Sequence, residues 1–407
     1  DLAYDMLERL CQQYVHTALS ALKEQAVPRW HHRLLLEWSG AQAPPPEPHV
    51  TPDEVRAAHA DIWPELALAE RCGPRLAEAL TGDVPYQELL FPGGSLDICR
   101  DVYDQGQVNR FYNECVVAAV RALVRSLPFG RLVRVLEVGA GTGGTAMSVL
   151  PSLRHACSCY TFTDVSESFL RRARAMFAAA FPFVEFELLN IDADPRLQGF
   201  SPSQYDLLIG TNVLHATPYM HNTLRNCQKL LLPGGVLLIN DAQLAGGFVQ
   251  ITFGLTDGWW LFSECADPMR RGYQSPLMDW DTWRSLLGES GFQRVHLMRG
   301  GGFLCNQAVM VARAGRGGEQ RSPEPRLEPE LAHLFTGGLG GLGLLTSRLL
   351  VSLGATRLVL SSRSGRVQHG SEGDWKWLSE DGSHSAVVTC VQSDVSEESS
   401  VLATLRD

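Results

Sequence analysis

The sequence lacks the features that mark nucleic-acid-binding, secreted and membrane proteins. It contains no basic run, and its 407 residues carry a formal net charge of −10, which disfavours binding to nucleic acid. No apolar segment reaches the roughly 18 residues that span a bilayer, and no signal peptide opens the chain. We therefore expect neither a nucleic-acid partner nor a membrane partner.

The cysteines form no pattern of a disulfide framework or a zinc site. The ten cysteines are scattered and no CxxC pair occurs, so we predict reduced thiols, a cytoplasmic location and no metal site. Hydrophobic content of 45% and charged content of 20% are typical of a globular protein, and the length allows two or three domains.

Hydrophobic periodicity divides the chain into regions. Apolar residues recur at helical spacing through residues 1–38, and Thr51-Pro-Asp-Glu54 has the pattern of a capping box. Further helical pattern predicts a mainly helical subdomain over residues 1–130. From residue 131, strand-length runs alternate with helical patterns, which predicts an α/β fold with a parallel sheet. The predicted strands are Val133 to Val138, Tyr160 to Thr163, Val184 to Leu188, Tyr205 to Gly210 and Gly235 to Ile239.

The last quarter of the chain has a different texture. Residues 313–330 are rich in Gly, Arg, Glu and Pro, which predicts a linker after a core domain of residues 131–312. Residues 331–407 then begin a second strand–glycine–helix unit, with a further strand over Thr356 to Leu360. The residues around the two glycine loops differ, so we expect two different nucleotide sites.

The first glycine loop follows the first predicted strand. Glycines there let the backbone approach a ligand, and the helix beyond offers unpaired N–H groups. Glu137 would repel a phosphate and either hold an amino group of the ligand or orient the loop. Ligands bind beyond the carboxyl ends of parallel strands, so residues that follow the later strands are also candidates for this site. Together with the glycine loop, these residues suit S-adenosylmethionine better than a dinucleotide. The cofactor candidates are Glu137, Gly139, Gly141, Gly143, Asp164 (ribose hydroxyls), Val165, Asn190 and Ile191 (adenine edge), and Asn212.

Two candidate catalytic residues follow neighbouring strands. His215 lies after the fourth predicted strand and Asp241 after the fifth, so their side chains can converge on one substrate. A carboxylate fixes the tautomer of a histidine and stabilises the imidazolium, which makes the pair a plausible general base. Such a base can remove an acidic proton from a carbon between two carbonyls.

Several motifs, in order, resemble the C-methyltransferase domain of polyketide synthases over residues 1–312. They are VLEVGAGTGGT, YTFTDVS, YDLLIGTNVLHAT, LLPGGVLLI, FGLTDGWWLF and WRSLLGESGF. The resemblance implies a class I S-adenosylmethionine-dependent methyltransferase, with a Rossmann-like sheet and an N-terminal helical lid. It also implies α-methylation of a β-ketoacyl thioester on an acyl carrier protein, with other synthase domains as partners.

The resemblance also assigns roles to single residues. His215 matches the family's catalytic histidine, whereas Asp241 stands where a glutamate is usual and Asn190 stands where an aspartate is usual. It implies that Tyr112 and Asn113 lie near the substrate. Tyr103 is implied to lie near the cofactor.

The second glycine loop resembles the cofactor loop of short-chain-dehydrogenase-type ketoreductases. An arginine after the next strand favours NADPH, because it can pair with a 2′-phosphate. We expect a partial Rossmann unit that binds NADPH but lacks the family's catalytic Ser, Tyr and Lys, which lie further along in that family. The candidate residues are Gly337, Gly338, Gly341, Gly343, Ser362, Arg363, Asp394 and Val395.

Two alternatives remain for the first domain. One is a non-catalytic, structural pseudo-methyltransferase, as in vertebrate fatty acid synthase; the intact glycine loop and His215 argue against it. The other is a methyltransferase that modifies oxygen or nitrogen instead of carbon.

Overall fold

The chain forms two units in a computed structural model, residues 1–317 and residues 318–407. The structure describes residues 2–22, 25–45, 47–128, 130–264, 267–315, 332–352, 355–380 and 386–404. Most of the predicted linker, residues 313–330, lies outside these ranges. Within them, no helix is both long and apolar enough to cross a membrane.

The N-terminal part of the first unit is helical. Its helices are α1 (Leu2–Leu22), α2 (Trp30–Gly40), α3 (Pro52–Ala58), α4 (Trp63–Cys72), α5 (Leu76–Thr81), α6 (Tyr86–Leu90), α7 (Asp97–Gln105) and α8 (Gln107–Arg125). The capping box is present, since the Thr51 hydroxyl accepts from the Glu54 N–H and the Glu54 carboxylate accepts from the Thr51 N–H. The helical pattern of residues 1–38 corresponds to two helices, because the chain leaves helical geometry before Pro28 and resumes it at α2.

A seven-stranded sheet follows, as the sequence predicts for an α/β fold. The strands are β1 (Val133–Val138), β2 (Cys157–Asp164), β3 (Val184–Leu188), β4 (Tyr205–Thr211), β5 (Leu231–Ala242), β6 (Phe292–Met298) and β7 (Gln307–Ala314). The helices among them are α9 (Gly144–Leu153), α10 (Glu167–Phe177), α11 (Met220–Leu230), α12 (Gly247–Thr252), α13 (Leu261–Glu264) and α14 (Trp280–Glu289).

The order of the strands determines where a site can form. The order is β3-β2-β1-β4-β5-β7-β6, in which β1 to β5 are parallel and β7 runs antiparallel to both its neighbours. The sequence reasoning missed β6 and β7. Because β1, β4 and β5 are adjacent, the loops after them meet at one edge of the sheet.

The boundary between lid and sheet differs from the predicted residue 130. The hydrophobic core of α1 to α7 also contains Phe248, Ile251, Leu255 and Trp259 from the segment after β5. In contrast, α8 contributes Val116 to the core beneath the sheet. The helical lid therefore consists of α1 to α7 together with the segment around α12.

The second unit is a smaller α/β arrangement. Its elements are β8 (Ala332–Thr336), α15 (Gly341–Ser352), β9 (Arg357–Ser362), α16 (Glu372–Glu380), β10 (Val387–Gln392) and α17 (Glu398–Thr404). Its three strands are parallel, in the order β10-β9-β8. Its buried core includes Leu344, Leu358 and Leu360, which join the helix to the central strand.

Candidate active site

The loop between β1 and α9 depends on glycine. Gly139, Gly141 and Gly143 have φ angles of 57°, 51° and 87°, in the left-handed region that side chains disfavour. A Cβ on Gly139 would lie 2.1 Å from Cγ2 of Val213, so the loop after β4 packs directly on this backbone. A Cβ on Gly141 would find nothing closer than the Gly139 carbonyl oxygen at 3.9 Å. The backbone at Gly141 is therefore open to a ligand.

The second strand closes this loop. The Ala140 N–H donates to the Thr163 carbonyl at 2.9 Å, and the Gly141 N–H donates to Oδ2 of Asp164 at 2.9 Å. Oδ1 of Asp164 accepts from the Ser166 N–H at 2.9 Å. Burial raises the pKa of Asp164, and these backbone bonds oppose the increase. Asp164 thus braces the glycine loop, a role that the sequence reasoning did not assign to it.

Glu137 is a buried acid beneath the loop. Its Oε2 accepts from the Tyr160 hydroxyl at 2.7 Å, and the side chain is 1% exposed. Burial raises the pKa of Glu137 to about 8. The hydrogen bond from Tyr160 opposes this increase, and the nearby charge of Asp164 adds to it. A carboxyl group with this pKa titrates close to neutral pH and can become an anion beside a cationic ligand.

A cleft of about 250 Å³ lies over the loop. It combines polar groups with apolar walls, as a ligand with both kinds of surface requires. Its lining includes Tyr103, Asn109, Asn113, Glu137, Gly139, Gly141, Thr145, Phe169, Asn212 and Phe253. Five of the predicted cofactor residues therefore line one cleft: Tyr103, Glu137, Gly139, Gly141 and Asn212.

His215 and Asp241 form a buried pair. Nδ1 of His215 lies 2.6 Å from Oδ1 of Asp241, and the two side chains are 6% and 0% exposed. The Trp259 ring meets the imidazole edge to face at a centroid distance of 5.7 Å. Within the described part of the chain, Oδ2 of Asp241 has no hydrogen-bond partner, so the carboxylate is directed chiefly at the histidine.

A larger cavity of about 910 Å³ lies beside the histidine. His215 and Trp259 line it, together with lid residues such as Glu8. It shares four lining residues with the glycine-loop cleft, namely Tyr103, Asn109, Asn212 and Phe253. The two cavities therefore adjoin each other, and the imidazole is on the side of the larger one.

Asn212 connects the two strand ends at this site. It has a φ of 47°, and its Oδ1 accepts from the Ala242 N–H at 3.1 Å. Tyr103, from the lid, lines both cavities, and its pKa is raised by burial and by the nearby charge of Asp241. Both residues therefore lie where the two cavities meet.

Two predicted substrate contacts are not at the larger cavity. Tyr112 is fully buried in the core under the sheet, where its hydroxyl donates to the Leu304 carbonyl and accepts from the Gly300 N–H. Tyr112 lines neither cavity, so the prediction that it contacts the substrate is wrong. Asn113 lines the glycine-loop cleft instead, and its Oδ1 accepts from the Thr145 hydroxyl at 3.1 Å.

Other predicted cofactor residues also lie outside both cavities. The Asn190 side chain accepts from the Asp192 N–H in its own turn, and Ile191 is buried in the core. Val165 is 71% exposed, and Gly143 packs toward Phe177 at the start of α9. Adenine contacts by Asn190 and Ile191, ribose contacts by Asp164 and a cofactor contact by Val165 stay predictions.

The second glycine loop has the geometry expected of a close turn. Gly337 has a φ of 70°, and a Cβ on Gly343 would lie 2.7 Å from the Gly337 carbonyl oxygen. A Cβ on Gly338 would meet three neighbouring atoms at 3.0 Å, and the Gly341 N–H donates to Oε1 of Gln368 at 3.2 Å.

The polar candidates of the second unit lie at the ends of β9 and β10. The Ser362 hydroxyl accepts from the Gly365 N–H at 3.0 Å, and Arg363 is exposed beside it. Hydrogen bonds from Ser396 hold the pKa of Asp394 below its usual value, and Val395 is 54% exposed. These residues stay candidates for an NADPH site.

The sequence reasoning missed part of the site. Asn109 lines both cavities, and Asp267 and Arg270 form a buried ion pair behind the His215 loop. The acid and the arginine are three residues apart, which is the spacing of an ion pair on one helical turn. Nothing in the sequence shows that the pair faces the histidine loop, since this depends on tertiary packing.

Two parts of the chain are similar to known protein families. Residues 136–237 match the family described as "Methyltransferase domain", and residues 332–407 match the family described as "KR domain". Polyketide synthase ThaG from Burkholderia thailandensis is 36% identical over 254 residues, which are 62% of this chain and 4% of ThaG. The chain thus spans a small fraction of the length of this relative.

Solved structures of methyltransferases cover about three quarters of the chain. The CurJ carbon methyltransferase superposes with a TM-score of 0.69 at 28% identity, covering 76% of this chain and 92% of that chain. The trans-methyltransferase CalH, solved in complex with SAH, gives a TM-score of 0.65 at 27% identity, covering 77% and 91%.

The first unit is therefore a methyltransferase of the class that uses S-adenosylmethionine, and a KR domain portion, of the kind that uses NADPH, follows it. The first unit is similar to the carbon methyltransferases of polyketide synthases in both fold and sequence.

Proposed function

We propose that the first unit methylates the α-carbon of a β-ketoacyl thioester, with His215 as general base and Asp241 as its orienting partner. The observation that carries this proposal is the 2.6 Å contact between the two buried side chains at the wall of the larger cavity. The cleft over the glycine loop adjoins that cavity, so a donor and an acceptor can meet there.

The glycine-loop cleft fits S-adenosylmethionine. The open backbone at Gly141 leaves room for a ligand, and the buried carboxyl of Glu137 offers an acceptor for a cationic amino group. The residues that would hold the cofactor are Tyr103, Glu137, Gly139, Gly141 and Asn212. When bound, S-adenosylmethionine supplies an electrophilic methyl group on sulfur.

The histidine is oriented for proton abstraction. An ionised carboxylate only accepts hydrogen bonds, so Nδ1 of His215 carries the proton directed at Asp241. Nε2 then has a lone pair that can accept a proton, and His215 lines the larger cavity. A proton on a carbon between a ketone and a thioester is acidic enough for such a base near neutral pH. Asp241 stabilises the imidazolium that forms, as the carboxylate does in other base dyads.

The larger cavity suits an acyl chain. Its volume of about 910 Å³ and its mixed walls accommodate a chain that carries both carbonyl and hydrocarbon groups. We propose that the chain arrives on the phosphopantetheine arm of an acyl carrier protein and that other synthase domains are partners, by analogy with the multidomain relatives. The cytoplasmic location stays a prediction.

The test uses the His215→Ala variant, with His221→Ala as a matched control. His221 is a partly exposed histidine that pairs with Glu289 at 3.3 Å, away from the cavity. Methylation of a β-ketoacyl thioester, measured by mass spectrometry, should fall by about 10²–10⁴ in His215→Ala and stay unchanged in the control. Calorimetry should show unchanged affinity for SAH in both variants.

Three results would reject parts of this proposal. Wild-type activity in His215→Ala would remove the base assignment. An absence of SAH binding by the wild-type chain would favour the structural pseudo-methyltransferase. Product carrying the new methyl group on oxygen or nitrogen, with no loss of an α-deuterium label, would indicate a different class of methyltransferase.

A further inference from the structure

A buried guanidinium lies behind the loop that carries His215. NH1 of Arg270 donates to the carbonyl of His215 itself at 2.6 Å. NH2 donates to the carbonyl of Thr217 at 2.7 Å and to that of Pro218 at 3.0 Å. One side chain thus binds three carbonyls in the four residues from 215 to 218.

Asp267 completes this arrangement. Its Oδ2 accepts from Nε of Arg270 at 2.8 Å, and it also accepts from the Met220 N–H at 3.3 Å. Arg270 is 1% exposed and Asp267 is 2% exposed. Burying a charged pair is costly unless its hydrogen-bonding groups are satisfied, and here the satisfying groups belong to the histidine loop and to the start of α11.

The loop needs such a support, because it has little regular structure of its own. Residues 212–219 join β4 to α11 through one short turn, Leu214–Ala216. At its front end, Asn212 ties the loop to β5 through the Ala242 N–H. At its back end, Arg270 holds the carbonyl of the catalytic residue. The imidazole is therefore fixed from behind through its own backbone.

We propose that Arg270 and Asp267 are positioning residues for the base. They act through His215, and neither lines the described cavities. Rigid placement of the His215 backbone keeps Nδ1 on Asp241 and Nε2 on the substrate side. A displacement of about 1 Å in such a group can cost about a hundredfold in rate, so the pair controls turnover without contributing to binding. This inference rests on the function proposed above.

The first test is the Arg270→Lys variant, which keeps the charge but cannot reach three carbonyls with a planar fork. We expect kcat for methylation to fall roughly tenfold to a hundredfold, with KM for S-adenosylmethionine and the affinity for SAH unchanged. The rate of enzyme-catalysed α-deuterium exchange should fall in parallel. Arg271→Lys, one residue along and exposed, is the matched control and should behave as wild type.

A double-mutant cycle separates positioning from general stabilisation. If Arg270 acts through the base, Arg270→Lys should cause no further loss of exchange in the His215→Ala background. An independent, multiplicative loss in that background would overturn the proposal. If Arg270→Lys fails to fold, Asp267→Glu is the second variant. It keeps both charges but lengthens the acid by one methylene, which displaces the guanidinium of Arg270. We expect it to lower kcat and leave KM unchanged.

The controls separate this inference from the function on which it rests. If the wild-type chain catalyses neither methylation nor α-deuterium exchange, the proposed function is rejected. An active wild type, an inactive His215→Ala and a fully active, folded Arg270→Lys would reject the positioning role alone.

Discussion

The two strand–glycine–helix units of this chain share the same backbone device. In the first, the N–H of Ala140 donates to the Thr163 carbonyl at 2.9 Å; in the second, the N–H of Gly338 donates to the Ser361 carbonyl at 3.0 Å. Both bonding residues immediately follow a glycine with positive φ, Gly139 or Gly337. The turn itself therefore does not distinguish the two ligands.

The side chains next to the turn differ at equivalent positions. Two residues before the first glycine, the first unit has the buried acid Glu137 and the second has Phe335. Directly after the bonded carbonyl, the first unit has Asp164 and the second has Ser362, which Arg363 follows. An acidic surrounding suits a cationic sulfonium ligand, whereas a hydroxyl and an arginine suit a phosphate. The neighbours of a glycine loop thus carry the ligand information.

The largest expected effect concerns the packing of the first loop. Gly139→Ala places a Cβ 2.1 Å from Val213 at a φ of 57°, whereas Gly337→Ala places one in open space at a φ of 70°. Strain together with the clash should cost about 3 kcal/mol, which is roughly a hundredfold in SAH affinity for Gly139→Ala. Calorimetry with SAH on both variants measures this, and Gly337→Ala should bind as wild type. An SAH affinity of Gly139→Ala equal to that of the wild type would show that the first loop tolerates a side chain at this position.

The second prediction concerns Asp241, the carboxylate that pairs with His215 in the first unit. Asp241→Asn keeps the shape but removes the charge that stabilises the imidazolium, so kcat should fall, by less than the 10²–10⁴ expected for His215→Ala. SAH affinity should stay unchanged, because Asp241 does not line the glycine-loop cleft. Steady-state kinetics on the β-ketoacyl thioester measure the effect. A variant as slow as His215→Ala would mean that the carboxylate is as essential as the base.

The comparison also shows what a sequence can and cannot predict here. Short apolar runs predicted β1 to β5, and His215 lies close to Asp241 because β4 and β5 are neighbours in the sheet. The placement of Tyr112 near the substrate rested on the family resemblance, which does not show that this face of α8 packs in the core under the sheet. Arg270 was missed because its acceptors are backbone carbonyls of a loop more than fifty residues earlier, which leave no side-chain signal.

The third prediction sharpens the ligand assignment of the second unit. Arg363→Ala removes the cation that favours a 2′-phosphate, and a hydrogen bond to a charged group contributes about 1.5–3 kcal/mol. The preference for NADP⁺ over NAD⁺ should therefore fall by about tenfold or more. Calorimetry of the chain with each nucleotide measures the ratio, and Arg366→Ala, on the same loop, is the control. An unchanged ratio would remove Arg363 from the proposed site.

The last prediction concerns Glu137, the buried acid that the first unit has where the second unit has Phe335. Burial raises the pKa of Glu137 from 4.5 to about 8, so the folded chain holds a proton there that the unfolded chain releases. Between those pH values, the wild-type free energy of unfolding should decrease with rising pH relative to Glu137→Gln, by at most about 1.4 kcal/mol per pH unit. Urea unfolding of both proteins at several pH values from 5 to 8 measures this difference. A difference in the free energy of unfolding that is independent of pH would mean that Glu137 is already ionised at pH 5. The first unit would then carry a constant negative charge, from mildly acidic pH upward, where the second unit has the uncharged Phe335.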